Sequence, residues 1–219
     1  MLDASLFPPA AQFAQLEVPP AEHNLENFAR LHPLERALVS HAVDARKAEF
    51  GDARWCAHQA LAKLGRDAGG PILRGERGMP LWPAAVSGSL THTDGFRAAV
   101  CAPSLLVRSM GLDAERAEPL PEGVVGSIAR VSELAQLERL RENKGITCAD
   151  RLLFCAKEAT YKAWFPLTHR WLGFEQAEID LRDDGTFVSY LLVRPTPVPF
   201  IEGKWKVADG YIVATTAVL

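Results

Sequence analysis

Lys157-Glu158-Ala159-Thr160-Tyr161-Lys162-Ala163-Trp164-Phe165-Pro166-Leu167-Thr168 sets a glutamate and a lysine four residues apart, on one face of a helix. An exposed pair at that spacing contributes only ~0.3–0.5 kcal/mol and is usually surface decoration. Here it interrupts an apolar text, since Leu152, Leu153, Phe154, Trp164 and Phe165 flank it. The spacing predicts a core helix from about Asp150 to Phe165, stopped by Pro166, that presents one small charged patch. Upstream, a helix is expected from Ser132, with Glu133 in its first turn and Lys144-Gly145 at its end. Downstream the text becomes strand-like at 174–181, 186–193, 201–207 and 211–218, with Asp183-Asp184-Gly185 and Asp209-Gly210 as hairpin signals.

The first half has a similar order. Pro33 opens a helix with Leu34, Ala37, Leu38 and Ala42 on one stripe. Asp52 reads as the N-cap of a second helix carrying Trp55, Ala60, Leu61 and Leu64, with Gly65 as its stop. Leu6 to Pro20 reads as an extended lead-in and Gly69 to Pro83 as a loop. Strands are expected at 85–90 and 96–102 around a turn at Thr91–Gly95, and a buried strand at 105–112. Helices followed by antiparallel strands, in each half, predict an α+β fold and not a doubly wound sheet.

Composition narrows the function. In 219 residues, 48% hydrophobic and 23% charged, there is enough apolar surface for a real core, which excludes long disorder and coiled coil. A net charge of −3 argues against a general nucleic-acid binder. No apolar run reaches the ~20 residues that span a bilayer, and the N-terminus shows no secretory pattern. Four cysteines without a Cys-x-x-Cys pair argue against zinc and for a reduced, cytoplasmic protein. Charge is uneven: residues 44–78 hold seven Lys/Arg against five Asp/Glu, and residues 111–150 hold five against eight.

The candidate chemistry follows that division. Asp113 and Glu115, in Gly111-Leu112-Asp113-Ala114-Glu115, point to one face of a strand and suit one hard cation, Mg²⁺ above all. Glu158 adds a third carboxylate able to act as a base, and Lys162 an ammonium able to neutralise a departing oxygen. Thr91-His92-Thr93 offers an imidazole and hydroxyls to a phosphate, and Arg46, Arg54, Arg74 and Arg77 offer bidentate phosphate contacts. Taken singly, each of these also reads as a solvated or structural group.

The combination is distinctive. Gly78-Met79-Pro80, Trp82-Pro83, Gly88-Ser89-Leu90-Thr91-His92-Thr93, Gly111 to Glu115 and Lys157 to Thr168, in that order, resemble the surfactin-type 4'-phosphopantetheinyl transferases. The likeness spans roughly residues 30–180 and points to the branch of enterobactin synthase component D and the actinobacterial enzymes. It implies a pseudo-dimer of two α+β halves, residues 1–104 and 105–219, with coenzyme A in the cleft between them. It further implies Asp113, Glu115 and Glu158 as Mg²⁺ ligands (Mn²⁺ substituting) and Glu158 as the base, with Lys162 on the leaving phosphate. Thr91 and His92 then meet the coenzyme phosphates, Arg46 and Arg54 the 3'-phosphate end, Arg74 the adenine-side loop, and Lys157 the phosphates. The implied partners are apo acyl or peptidyl carrier proteins, served by a monomer. Two departures stand out: Phe154-Cys155-Ala156 replaces a Trp-Thr/Ser pattern, and Met79 replaces a lysine before Pro80. Rival readings are a Mg²⁺-dependent diphosphate hydrolase acting on coenzyme A and a non-catalytic carrier-binding module.

Overall fold

The computed structural model describes residues 1–19 and 24–219. The first half comprises β1 (Gln12–Glu17), α1 (Glu26–Arg30), α2 (Pro33–Ala37), α3 (Asp44–Lys63), a short ribbon of β2 (Leu73–Arg74) and β3 (Pro80–Leu81), and the hairpin of β4 (Val86–Thr93) and β5 (Phe96–Pro103). The second half comprises β6 (Ser109–Arg116), α4 (Val125–Ile128), α5 (Val131–Lys144), α6 (Ala149–Thr168), β7 (Ala177–Leu181), β8 (Thr186–Leu191), β9 (Phe200–Ala208) and β10 (Tyr211–Val218). The strand orders are β1-β5-β4 and β6-β10-β9-β8-β7, antiparallel throughout. Each half lays one 20-residue helix, α3 or α6, on its sheet. This is the α+β pair of halves that the sequence predicts.

Why the halves adhere is written in β5. Successive strand residues face opposite sides, and both sides of β5 are covered. Ala98, Val100 and Ala102 pack with Val107, Met110, Leu112 and Val213 of the second half, whereas Ala99 and Cys101 pack on Cys56, Ala57, Ala60 and Leu61 of α3. A strand covered on both faces reads as an unbroken apolar run, as Phe96 to Ala102 nearly does. The N-terminus seals the same layer: Leu2, Leu6 and Phe7 enter it, and Thr215 Oγ1 donates to Leu6 O at 2.7 Å.

In β6 the two faces have different jobs. Met110, Leu112 and Ala114 join the layer between the halves, and Gly111, Asp113 and Glu115 turn toward α6. Gly111 is required by close approach, because a Cβ there would overlap the Ala159 carbonyl of α6. Between β4 and β6 there is no backbone ladder. Alternate β4 hydroxyls replace it: Ser87 Oγ donates to Val107 O at 2.6 Å, and Ser89 Oγ and Thr91 Oγ1 each accept at 3.0 Å, from Leu112 N–H and Ala114 N–H.

Several sequence expectations need correction. The lead-in contains a true strand, β1, paired along its length with β5. Asp52 is not an N-cap: α3 starts at Asp44, and Asp52 lies inside it, buried, accepting from Asn27 Nδ2 at 2.7 Å. Gly65 does stop that helix, in a left-handed conformation with Arg66 N–H returning to Leu61 O. Thr91 to Thr93 belong to β4, and the turn is only Asp94-Gly95. The strand expected at 105–112 begins at Ser109; Leu105 is 93% exposed, in a turn closed by Leu106 and Val107 N–H on Pro103 O. Pro166 does not end α6, since His169 N–H reaches Phe165 O and Thr168 Oγ1 reaches Trp164 O to close one more turn.

Candidate active site

A cleft of about 580 Å³ opens between the halves. α3 contributes Arg46 and Arg54, the β2–β3 ribbon Arg74 and Arg77, β4 His92, and α6 Glu158, Tyr161 and Lys162. The basic first block and the charged face of α6 therefore meet across one cavity, although they lie about a hundred residues apart in sequence.

On the first wall, Arg54 is the deepest cation. It is 3% exposed, and its Nε and Nη1 have no hydrogen-bond partner. Burial pushes its pKa down to about 10, against the pull of the Glu35 carboxylate 3.8 Å away. Glu35 is fully buried and also accepts from His58 Nε2 at 3.0 Å and Ile72 N–H at 3.2 Å, which leaves it little to offer Arg54. A buried guanidinium with free donors is costly unless an anion completes it. Nearer the opening, Arg46 Nη1 donates to His92 Nε2 at 3.2 Å. Desolvation first, and the Arg46 cation second, hold His92 below the usual imidazole range, so it is neutral there at pH 7.

On the second wall, Lys162 Nζ donates to Asp113 Oδ1 at 2.7 Å, Leu112 O at 3.0 Å and Leu90 O at 3.2 Å. Those three bonds use every ammonium proton and join β4 of one half to β6 of the other. Glu158, one turn before Lys162, is half-buried; burial and then the Asp113 carboxylate raise its pKa, opposed by Lys162. Glu115 is raised for the same two reasons and is steadied by Arg151 Nη1 at 3.2 Å. Cys155 sits fully buried beneath Asp113, its thiol pKa far above the ordinary value mainly through burial.

Among the described residues, no three His, Cys, Asp or Glu side chains are gathered into a finished metal cage. Asp113 and Glu115 each spend an oxygen on a cation of the protein. The donor set still fits a hard cation. Asp113 Oδ2 is buried and unpartnered, and carboxylate oxygens are the ligands Mg²⁺ selects, with water and phosphate filling the remaining positions.

Two expected phosphate contacts are not brought to the cleft as donors. Lys157 lies ~100° around α6 from Glu158, where its ammonium is buried against Glu133 at 2.8 Å and donates to Phe174 O and Ala177 O. Lys157→Met is accordingly expected to lower stability by about 3–5 kcal/mol in denaturant titration, the cost of breaking a buried pair. Thr91 lines the cleft, but it is 3% exposed and its hydroxyl is committed to Ala114 N–H and Asp113 Oδ1. Sequence reasoning missed Arg108 and Tyr161 as cleft-lining residues, along with Arg151 and Glu35 as holders of Glu115 and Arg54. The position of Tyr161, three residues after Glu158 on a helix, was a usable signal; the others depend on contacts distant in sequence.

A two-lobed α+β chain, with a buried arginine short of hydrogen bonds and three further arginines on one wall and Glu158 and Lys162 on the other, is built for moving a phosphate-linked group. Residues 34–102 match the 4'-phosphopantetheinyl transferase N-terminal domain, and residues 109–216 match the 4'-phosphopantetheinyl transferase superfamily. The chain is 46% identical to 4'-phosphopantetheinyl transferase Npt of Nocardia iowensis, covering 86% of this chain and 89% of that protein. It is 44% identical to 4'-phosphopantetheinyl transferase PptT of Mycobacterium tuberculosis, covering 85% of each, and 44% identical to 4'-phosphopantetheinyl transferase Svp of Streptomyces mobaraensis, covering 86% of this chain and 78% of that one. The chain belongs to the 4'-phosphopantetheinyl transferase superfamily, and its relatives are those of the actinobacterial branch.

Proposed function

We propose that this enzyme transfers the 4'-phosphopantetheine group of coenzyme A to a serine hydroxyl of an apo acyl or peptidyl carrier protein, releasing 3',5'-ADP. The observation that carries the reading is the Arg54 guanidinium, buried with Nε and Nη1 lacking hydrogen-bond partners in the same cleft as Glu158 and Lys162. Arg54 and Arg46, with Arg74 at the rim, take the phosphates of the nucleotide end, and His92 donates to the diphosphate. In this reading residues 1–104 form the coenzyme-binding half and residues 105–219 the half with the acidic set and catalytic helix.

The serine oxygen forms a bond to the β-phosphorus, and the bond from that phosphorus to the oxygen bridging to the α-phosphate breaks. Glu158, with a carboxyl pKa raised by burial and Asp113, takes the hydroxyl proton. Lys162 exchanges a carbonyl for the departing phosphate oxygen and so meets charge where it develops. Asp113, Glu115 and Glu158 are the residues that would hold a Mg²⁺ or Mn²⁺ ion, which would supply charge neutralisation to the diphosphate. Every group named comes from one chain, which supports action as a monomer. The four free, buried thiols support a cytoplasmic setting.

Incubation with coenzyme A, Mg²⁺ and a panel of apo carriers, followed by intact mass, tests the proposal. A carrier gaining one phosphopantetheine is the expected result. Free phosphopantetheine with no modified carrier would replace the reading with a coenzyme A hydrolase. Arg54→Lys is expected to raise the KM for coenzyme A about tenfold, because an ammonium loses the two-pronged contact, with a smaller effect on kcat.

A further inference from the structure

Thr91 stands on β4 of the first half, yet both of its polar contacts lie on β6 of the second. Its Oγ1 accepts from Ala114 N–H at 3.0 Å and donates to Asp113 Oδ1 at 3.3 Å. That same Oδ1 receives Lys162 Nζ at 2.7 Å, while Oδ2 is buried with no partner. One oxygen of Asp113 is thus pinned from two sides, by groups from two different elements, and the other has no hydrogen-bond partner. A partial rotation of the carboxylate about its last torsion would break both bonds, so together they fix the plane of the group.

Resting on the function proposed above, we propose that Thr91 is a positioning residue: its hydroxyl fixes the Asp113 carboxylate so that Oδ2 stays free for a cation, and it does not itself bind phosphate. The residue also sets the spacing of the two walls at the point where it matters to the chemistry. Ser87 and Ser89 continue the same alternate row on β4, but they bond only main-chain groups of the second half. They hold the halves together, and Thr91 alone in that row reaches a carboxylate.

The row contains its own control. Ser89 Oγ accepts a β6 N–H at the same 3.0 Å distance as Thr91, without touching Asp113. Ser89→Ala and Thr91→Val therefore orphan comparable amide groups and are expected to lower Tm by similar amounts. Thr91→Val is expected to lower kcat about ten- to a hundredfold, as loss of a hydrogen bond to a charged group does, with little change in the KM for coenzyme A. It is also expected to weaken Mn²⁺ binding, followed by electron paramagnetic resonance of free Mn²⁺ with coenzyme A present and carrier absent. Thr91→Ser restores both, and Ser89→Ala leaves both at the wild-type level. A raised KM at unchanged kcat for Thr91→Val would make Thr91 a phosphate ligand, and equal kcat losses in Thr91→Val and Ser89→Ala would make it a seam residue only; either overturns the assignment. Wild-type enzyme that modifies no carrier in the parallel mass assay rejects the proposed function itself, which separates the two failures.

Discussion

Glu158→Gln is expected to reduce phosphopantetheine transfer by about 10²–10⁴-fold, the range typical for removing a positioned general base. The amide keeps the size and helix position of the side chain but cannot take a proton from the carrier serine. Coenzyme A binding should persist, because the cations proposed for the nucleotide end, Arg46, Arg54 and Arg74, lie on the opposite wall of the cleft. Isothermal titration with coenzyme A and intact mass of an apo carrier read the two properties separately. Near-normal conversion of the carrier by this variant would remove Glu158 as the base.

Asp113→Ala is expected to cost at least about a hundredfold in transfer, through loss of a charge-assisted contact and of the free oxygen together. The Lys162 ammonium loses its shortest bond and keeps only the Leu90 and Leu112 carbonyls. Glu115 and Glu158 lose the neighbouring carboxylate that raises their pKa, so both shift back toward the ordinary carboxylate range. The Mg²⁺ concentration for half-maximal activity should rise strongly. An unchanged Mg²⁺ titration with unchanged rate would exclude Asp113 from the cation site.

Much of the second half was legible because its signals are local. Glu158 and Lys162 share a face by helical spacing, Asp113 and Glu115 by strand spacing, and Asp209-Gly210 closes the β9–β10 hairpin where expected. The errors also have local causes. Asp52 has the chemistry of an N-cap, but its partner is Asn27, 25 residues away, and no periodicity reveals that. Leu105 and Leu106 look like strand residues, but the Pro103 carbonyl folds them into a turn. The resemblance implies Lys157 as a phosphate contact, but it lies ~100° around α6 from Glu158, where it pairs with Glu133.

The amino-acid sequence alone determined the α+β character, the two halves, the family and the residue types of the site, because these follow from spacing, turn chemistry and motif order. Tertiary structure decided which of those groups share the cleft, that Lys157 is a buried counter-ion of Glu133, and that Arg54 is buried with free donors. It also decided that Lys162 and Thr91 pin one oxygen of Asp113 and leave the other buried without a hydrogen-bond partner. The physical reason is range. Helix and strand periods act over a few residues, whereas burial, ion pairing and orphaned donors depend on partners up to about fifty or seventy residues away, such as Asp113 and Leu90 around Lys162.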